Sequence, residues 1–433
     1  MNLNAIGQAK YLEVDRDGRL KIPAHLASRY GIKPLTRVYI DELNNGLYLL
    51  RPTTHLAKLY LEVTNRCNLK CRTCVRNAWS EPTGMMSKAV FDRVMEGLGK
   101  FSPRPKVFFG GLGEPLVHPD IISMVSRVKA AGAQAELITN GTLLSPDLLD
   151  ELVSLGLDVL WVSIDGARAE SFSDVRLGAE LPGVIGNLRH FRKAQSRQTT
   201  VLSGTTRTQL GIVFVAMKRN IDDLPAVCDL AWQLGAKRFM VTNVLPYTRE
   251  LCDEVLYPYQ MEKIDTVDPE KADWKRSFLP DHVYLPRMDI SEKTVAPLRS
   301  VVSQNVNING ANSIFRGAQN RCPFIESGAA AIRWDGNFSP CLPLLHSYTI
   351  YLRDRERFLH SYSIGNVSEI TMDNLWNAPE HTDFRERVQE FDFSPCSICG
   401  GCSFLDSNQE DCFKNSFPAC GGCLWAQGVI QCP

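Results

Sequence analysis

The chain has 433 residues, of which 44% are hydrophobic and 22% are charged, as in ordinary globular proteins. Its 48 basic and 48 acidic side chains cancel, which excludes a general electrostatic attraction to nucleic acid or to anionic membranes. It has no apolar run of about 18 residues that could span a membrane, and residues 1–10 lack the blocks of a signal peptide.

Cysteine is the unusual component of this composition, with 14 copies in the chain. Without a signal peptide, disulfides are not expected, and metal binding is the better interpretation. We therefore expect a cytoplasmic protein that binds metal through thiolates.

Residues 1–55 are predicted to form a small β-rich unit. Short strands are expected over 11–14 and 19–23, a helix over 24–30, and strands over 36–40 and 47–50 on either side of an N-N-G hairpin turn.

The run D-G-R-L-K-I-P at residues 17–23 resembles the signature of swapped-hairpin domains of the AbrB/SpoVT type. This resemblance implies a domain that intertwines two chains and often binds DNA. Seven basic and five acidic residues between Glu13 and Arg51 do not make the concentrated basic face that DNA binding needs. We therefore expect dimerisation or partner docking, and no nucleic acid.

From about residue 56, predicted strands and helices alternate. Helical periodicity is clear over 87–99, over 145–156 with serine as the N-cap and proline after it, and over 221–234. Six strand–helix units imply a parallel sheet with right-handed crossovers, and hence an α/β domain over 56–245. The predicted strands cover residues 58–63, 106–110, 134–139, 158–164, 211–217 and 237–243.

Three cysteines follow the first of these strands in the spacing C-x3-C-x2-C: Cys67, Cys71 and Cys74. Three thiolates on one short loop can hold three irons of a [4Fe–4S] cube and leave the fourth iron open, whereas an electron-transfer cluster normally has four cysteine ligands. The alternatives are a redox cysteine pair and a zinc knuckle, but zinc prefers four ligands in paired C-x2-4-C units.

The cysteine spacing resembles the signature of the radical S-adenosylmethionine (SAM) enzymes. The resemblance implies that the open iron chelates SAM and that one electron cleaves SAM to a 5′-deoxyadenosyl radical, which abstracts hydrogen from the substrate. It also implies a partial (β/α)6 barrel and an electron donor such as ferredoxin or flavodoxin. Thr73 departs from the pattern, because the family usually has an aromatic residue there, next to adenine.

A glycine-rich turn, G-G-x-G-E-P at residues 110–115, follows the second strand. Glycines at the carboxyl end of a strand allow the backbone to approach a ligand closely, although an ordinary βα turn is the alternative. The resemblance implies that this turn binds the amino group of SAM, that T-N-G and S-I-D-G after the next two strands lie near its ribose and carboxylate, and that residues 241–245 pack on adenine. Asp165 can equally cap a helix. The predicted SAM-binding residues are Gly110, Gly111, Gly113, Glu114, Pro115, Asn140, Ser163 and Asp165.

Residues 246–320 lose the alternating pattern and are interpreted as a bridging region that lines the substrate entrance. Residues 321–433 are expected to form a separate metal-binding module. Its nine cysteines are Cys322, Cys341, Cys396, Cys399, Cys402, Cys412, Cys420, Cys423 and Cys432.

The opening C…G-x4-C and the dense cysteine group after a gap resemble a SPASM domain, which implies two auxiliary [4Fe–4S] clusters. Nine cysteines exceed the eight that two cubes need, so ligands cannot be assigned to individual clusters. The alternative is a zinc site on two C-x2-C pairs, Cys396 with Cys399 and Cys420 with Cys423. Cys228 and Cys252 are interpreted as buried thiols, and Asp335, Asp406 and Asp411 as solvated carboxylates.

These patterns predict a radical SAM maturase that modifies a protein, a peptide or a cofactor enzyme. The AbrB-like unit and the ending C-G-G-C-L-W-A-Q at 420–427 resemble the maturases of tungsten-cofactor aldehyde oxidoreductases. The alternatives are a maturase that forms thioether or carbon–carbon crosslinks in ribosomal peptides and an iron–sulfur redox-sensing DNA-binding regulator. No residue is identified as a general acid or base.

Overall fold

The computed structural model describes residues 14–43, 46–197, 208–257, 282–302, 307–309, 320–352, 354–397, 399 and 402–433. Fifteen strands lie in this part of the chain, and eleven of them form one sheet. The strands are β1 Ile40–Leu43, β2 Gly46–Leu49, β3 Lys58–Leu61, β4 Lys106–Phe109, β5 Ala135–Thr139, β6 Val159–Ser163, β7 Gln209–Ala216, β8 Arg238–Asn243, β9 His282–Tyr284, β10 Asn307–Asn309, β11 Ala329–Ile332, β12 Asn337–Ser339, β13 Tyr348–Leu352, β14 Arg355–Leu359 and β15 Gly365–Asn366.

The helices of the same part of the chain are α1 Ala24–Arg29, α2 Lys88–Leu98, α3 Ile121–Ala130, α4 Pro146–Ser154, α5 Ala169–Val175, α6 Leu181–Arg197, α7 Leu224–Gln233, α8 Arg249–Cys252, α9 Glu292–Val302, α10 Pro323–Glu326, α11 Met372–Trp376 and α12 Pro379–Glu390. Among these described residues, no helix is both long enough and apolar enough to cross a bilayer.

The six predicted strands are present, and β3 to β8 run parallel in chain order. Helices lie between most successive strands, as the crossover rule requires for parallel neighbours. This arrangement confirms the predicted partial (β/α)6 barrel.

The strands of the barrel bury both of their faces. On β3, Leu59 and Leu61 pack in the apolar cluster that also contains Phe91 and Val94 of α2. Tyr60, which points to the opposite face, packs in a second cluster with Phe108 of neighbouring β4. Alternate residues of a strand point to opposite faces, so an almost continuous apolar run fits a strand buried on both sides.

Two helix starts follow the predicted sequence signals. The Ser87 side chain accepts a hydrogen bond from the Val90 N–H at the start of α2. Ser145 accepts from the Leu148 N–H at the start of α4, where Pro146 is the first helical residue. Gly156 then adopts φ +72° just after α4, a conformation that favours glycine.

The sheet extends beyond the prediction at both edges. Parallel strands β9 and β10 continue it past β8, so the bridging region contains strands that the sequence pattern did not reveal. At the other edge β11 pairs in parallel with β3, and antiparallel β12 and β15 follow it. The cysteine-rich region is therefore hydrogen-bonded directly to the first strand of the barrel.

The N-terminal unit matches the prediction in part. Val14 and Leu20 form an isolated antiparallel bridge, and β1 pairs with β2 as a hairpin. The first strand of this hairpin begins at Ile40, so the predicted strand over 36–40 was placed too early. Residues 11–13 and the turn residues 44–45 lie outside the described part of the chain.

Candidate functional site

The cysteine triad lies on a loop that follows β3 at its carboxyl end. The loop is fixed by the Asn77 side-chain amide, which donates to the Cys71 carbonyl oxygen at 2.7 Å, and by the Arg72 N–H, which donates to the Val175 carbonyl at 3.0 Å. Cys67, Cys71 and Cys74 are each partly exposed residues. The three cysteines are therefore accessible to a ligand, and hydrogen bonds within the protein hold their loop in place.

A buried arginine supplies positive charge beside these thiols. Burial raises the pKa of the Cys71 and Cys74 thiols, and the Arg176 guanidinium opposes that increase. Arg176 Nε donates to Asp165 Oδ2 at 2.7 Å, and its side chain is only 11% exposed. Burial opposes the charge of Arg176, but Asp165 and the nearby thiols together raise its pKa. Arg176 was not predicted from the sequence, because it lies ten residues after the S-I-D-G run and belongs to no motif.

The glycine-rich turn packs directly on the cysteine loop. A Cβ atom on Gly113 would lie 2.2 Å from the Thr64 carbonyl oxygen, and one on Gly111 would lie 2.7 Å from the Glu62 side chain. The Glu114 N–H donates to the Arg66 carbonyl at 2.8 Å. Glycine is therefore required here for the contact between two protein loops.

Glu114 and Asn140 connect three of the loops at the rim. Glu114 is buried, and its carboxylate accepts from the N–H groups of Leu116 at 3.1 Å and Asn140 at 2.7 Å. Burial raises the pKa of Glu114, and these donors oppose the shift. The Asn140 side chain donates to Asn68 Oδ1 at 2.9 Å and lies 3.8 Å from Cys67 Sγ.

Ser163 and Asp165 lie at and just after the carboxyl end of β6. Asp165 is completely buried, and its Oδ1 accepts from the Val215 N–H at 2.8 Å. The next helix, α5, has Arg168 at its N-cap, so the interpretation of Asp165 as a helix cap is wrong. Pro115 begins a short 3₁₀ helix, and Gly110 closely approaches Ile138, where a Cβ would lie 2.4 Å from that side chain.

A buried carboxylate–imidazole pair lies behind the glycine-rich turn. Glu62 Oε1 accepts from the Leu112 N–H at 3.0 Å, and Glu62 Oε2 lies 2.7 Å from His346 Nε2. Both side chains are completely buried, and Glu81 lies 3.4 Å from the other ring nitrogen. Burial opposes protonation, but the two carboxylates raise the pKa of His346. No local pattern in the sequence indicates this pair, because its members are 284 residues apart.

The triad fits an iron–sulfur cube better than a zinc ion. A tetrahedral zinc site needs its sulfur ligands within about 4 Å of one another. Across the described residues, no three histidine, cysteine or carboxylate side chains are grouped closely enough to share one metal ion. A cube separates its thiolate ligands more widely, and the neighbouring Arg176 offsets part of their negative charge.

Four cysteines of the C-terminal region surround one apolar cavity of about 50 Å³: Cys322, Cys341, Cys420 and Cys423. Burial raises the pKa of all four thiols, that of Cys322 to about 12. Arg357 also lines this cavity and is anchored by a hydrogen bond of 2.7 Å to the Leu405 carbonyl.

Four further cysteines lie on residues 396–412 and do not line this cavity: Cys396, Cys399, Cys402 and Cys412. Cys396 is buried and lies 2.9 Å from the Ser394 hydroxyl, whereas the other three are exposed. Asp411 shapes this loop by accepting from the N–H groups of Ser394, Phe413 and Asn415 at 3.0 Å each.

Asp411 is buried, so its interpretation as a solvated carboxylate is wrong; Asp335 and Asp406 pair with arginines. The Ser397 N–H donates to the Gly421 carbonyl at 3.3 Å, so the loops that carry the two C-x2-C pairs are in contact.

Three further cysteines, Cys432, Cys228 and Cys252, are not assigned to a cluster. Cys432 accepts from the Trp425 indole N–H at 3.3 Å and lines a different cavity. Cys228 is buried in α7 as expected. Cys252 is partly exposed at the end of α8, so its prediction as a buried thiol is wrong. His118, whose ring lies 2.9 Å from the Met86 carbonyl, is a buried structural residue.

Comparison with known proteins identifies two families that match this chain. Residues 61–208 match the radical SAM superfamily, and residues 322–403 match SPASM, an iron–sulfur cluster-binding domain. A protein of Pyrococcus furiosus named tungsten-containing aldehyde ferredoxin oxidoreductase cofactor-modifying protein is 31% identical over 378 residues, which are 87% of this chain and 96% of the relative.

Two further proteins are more distant. The PqqA peptide cyclase of Bradyrhizobium diazoefficiens is 26% identical over 190 residues, or 43% of this chain and 46% of the relative. The crystal structure of Streptococcus suis SuiB bound to the precursor peptide SuiA has a TM-score of 0.50 at 15% identity, with 81% of this chain and 72% of that chain covered. This likeness supports the fold alone.

Proposed function

Because the chain belongs to the radical SAM superfamily, we propose that it is a maturase that modifies the cofactor of a tungsten-dependent aldehyde oxidoreductase. The observation that carries this proposal is the 31% identity that extends over 96% of a relative named for that role. The chain is a radical SAM enzyme, whose cofactors are a [4Fe–4S] cluster and SAM, and its SPASM region binds auxiliary iron–sulfur clusters.

The triad loop is the proposed site of the SAM-cleaving cluster, held by Cys67, Cys71 and Cys74. When bound, this cluster supplies the electron that cleaves SAM to a 5′-deoxyadenosyl radical. Arg176 stabilises the thiolate form of the ligands, since it is a buried cation beside them.

The loops that would contact SAM are held rigid by the chain itself. Glu114 joins the glycine-rich turn to Asn140, and Asn140 joins both to the cysteine loop. These contacts preorganise the rim residues before SAM binds, which reduces the entropy lost on binding. We propose that Ser163 completes this SAM site, and that the buried Asp165 holds Arg176 in place beside it.

The auxiliary ligands divide into two groups of four in our proposal. One cube would lie in the cavity lined by Cys322, Cys341, Cys420 and Cys423. The other would lie near the surface on Cys396, Cys399, Cys402 and Cys412. This division leaves Cys432 without a cluster and accounts for the ninth cysteine.

Radical chemistry is tested with one substitution and a matched control. Anaerobically reconstituted and reduced wild-type protein should form 5′-deoxyadenosine from SAM, and Cys71→Ala should not. Cys228→Ala removes a thiol of the helix α7 core instead and should retain the product. Undiminished product from Cys71→Ala would contradict the triad assignment.

The substrate is tested with a tungsten-dependent aldehyde oxidoreductase isolated without maturation. Incubation with the reduced maturase and SAM should change the mass of the extracted cofactor, and the Cys71→Ala protein should not. An unchanged cofactor mass, together with 5′-deoxyadenosine formed at the same rate without the oxidoreductase, would contradict this substrate and leave the SAM chemistry intact.

A second candidate function is the crosslinking of a ribosomal peptide, which the similarity to PqqA peptide cyclase favours. Formation of one crosslink removes two hydrogen atoms from the peptide, so mass spectrometry of candidate precursor peptides tests it. Either function also needs an electron donor, for which we propose a ferredoxin or a flavodoxin.

A further inference from the structure

Arg357 is a buried cation in the wall of the cavity that Cys322, Cys341, Cys420 and Cys423 surround. It is the middle residue of β14, and only 2% of its surface is exposed. Among the described residues that line this cavity, Arg357 is the one that carries a formal charge at neutral pH. Proteins normally pair the charges that they bury, so this guanidinium is expected to face a negative charge.

The polypeptide satisfies only part of this guanidinium. Its Nη1 donates to the Leu405 carbonyl at 2.7 Å. Its Nε is buried and has no hydrogen-bond partner within the described part of the chain. Asp406 pairs with Arg355 instead, and no carboxylate of the described residues forms an ion pair with Arg357. The arginine therefore keeps a buried donor and a buried charge that its described neighbours do not satisfy.

The unsatisfied guanidinium lies beside the cysteines. Gly422 stands between Cys420 and Cys423, and a Cβ atom on it would lie 2.9 Å from Arg357 Cζ. The main chain that carries these two cysteines therefore packs directly on the guanidinium. Burial lowers the pKa of Arg357, and the nearby Cys396, Cys423 and Cys420 oppose that decrease. Thiolates at these positions would accordingly be attracted to Arg357.

The charge of an iron–sulfur cube is what this arginine can compensate. An oxidised [4Fe–4S] cube with four thiolate ligands is a dianion, and one-electron reduction makes it a trianion. A nearby cation stabilises the trianion more than the dianion, because the attraction grows with charge and is screened little in a buried site. Local charge and hydrogen bonds to the sulfurs are among the factors that set the reduction potential of such cubes.

We propose that Arg357 compensates the negative charge of the auxiliary cube in this cavity and raises the reduction potential of that cube. The Nε–H is the donor available to a cluster sulfur, while the bond from Nη1 to Leu405 holds the guanidinium in place. This role of Arg357 rests on the proposed function, in which the four cysteines of the cavity hold a cube.

Redox titration followed by electron paramagnetic resonance tests this role in the reconstituted protein. The three triad cysteines are replaced by alanine in every sample, so that the SAM-cleaving cluster adds no signal. The signal that disappears on Cys420→Ala is then that of the cavity cube. Arg357→Met should lower the equilibrium constant for reduction of this cube at least tenfold, which is about 59 mV for one electron.

Two further variants separate charge from structure. Arg357→Lys keeps the charge and should recover at least half of the shift. Arg355→Met removes a charge from the same strand, but that side chain is partly exposed and pairs with Asp406. Because solvent screens exposed charges, it should change the equilibrium constant less than about threefold. Iron content should equal that of the background protein in all three variants, whereas loss of a merely structural arginine would lower the iron content and leave the potential of the remaining cubes unchanged.

Four outcomes would overturn the proposal. The first is a cavity cube of unchanged potential in Arg357→Met. The second is a shift in Arg355→Met as large as that in Arg357→Met, and the third is a potential in Arg357→Lys as low as in Arg357→Met. The fourth is loss of iron from Arg357→Met, which would make the arginine a structural residue. Failure of the proposed ligand set looks different, because every signal would then survive Cys420→Ala while Arg357 is still present.

Discussion

Cys432 and Cys420 are close in sequence but differ in what surrounds them. Cys420 lines the cavity that it shares with three other thiols. Cys432 lies against Trp425 in a different cavity, which is also lined by the first residues of β3, β4 and β8. A cube with four thiolate ligands is destabilised when one ligand is removed, whereas removal of a cysteine that is not a ligand leaves it in place.

We therefore predict that Cys420→Ala loses up to about four iron atoms per chain, and that Cys432→Ala retains the wild-type content. Iron analysis after anaerobic reconstitution, together with visible absorption, measures both. Equal iron losses in the two variants would contradict the division into four, four and one.

His346 is expected to make the stability of the folded protein depend on pH. Its pKa is raised in the folded protein because Glu62 and Glu81 face its ring, although burial acts in the opposite direction. A raised pKa contributes stability that is fully present below the unfolded value of about 6.5. That contribution is lost as pH rises through the folded value.

The variant His346→Gln should therefore be less stable than wild type by roughly 1–3 kcal/mol near pH 6, and the difference should shrink towards pH 9. Arg333 also faces Glu81, and it stays charged over this range, so it does not add a titration of its own. Urea unfolding at constant cofactor loading measures the difference. A gap that is constant with pH would show that His346 is not protonated in the fold.

The glycine-rich turn is an element whose conformation depends on its contact with the cysteine loop. Any side chain at Gly113 would collide with the Thr64 carbonyl oxygen, and backbone cannot move aside as a flexible side chain can. The turn would have to shift away from the rim where SAM is proposed to bind.

Gly113→Ala should reduce 5′-deoxyadenosine formation about 100-fold, which is the order expected for a displacement of about 1 Å. Gly183→Ala is the matched control, because a Cβ there meets nothing within 4 Å in helix α6. The control should retain activity and gain about 0.5–1 kcal/mol of stability. Product formation by Gly113→Ala at the wild-type rate would exclude a role for this packing.

Elements with long apolar runs were predictable from sequence, and short ones were not. The runs at β3 to β8 are buried on both faces and alternate with periodic helices, and this pattern predicted a parallel α/β sheet. The partial barrel was implied by the resemblance to the radical SAM enzymes. β9, β10 and β12 have three residues each and carry no comparable pattern.

The three cysteines and the glycine-rich turn were likewise visible, because each is a local motif. Arg176 and the pair of Glu62 with His346 were not visible, because their roles depend on contacts between distant segments. The arrangement of Cys322, Cys341, Cys420 and Cys423 around one cavity also required the fold.

At the scale of the whole molecule, the exposed large apolar side chains are concentrated in the N-terminal unit. Leu20, Leu35, Leu47 and Tyr48 are each at least half exposed, with Leu47 at 69%. Exposed apolar side chains gathered in one small unit are typical of interaction sites. It supports the proposal that this unit joins two copies of the chain.

We expect wild-type protein to sediment as a dimer and the double variant Leu20→Asp with Leu47→Asp to sediment as a monomer. Leu143→Asp, which alters an exposed leucine in the loop before α4, should remain dimeric. Sedimentation equilibrium measures all three. A monomeric wild type would contradict the dimer and would leave docking of another protein as the role of this unit.

The parallel pairing of β11 with β3 has a consequence for how the protein is made. Lys58 is translated about 270 residues before its partner Ala329, so the ribosome releases the barrel's first strand long before the neighbour that covers it is synthesised. During that interval the strand presents an open row of amide and carbonyl groups, which can recruit other nascent chains. Yields from expression of this protein should consequently depend on chaperone supply, and a fragment that stops short of residue 329 should aggregate.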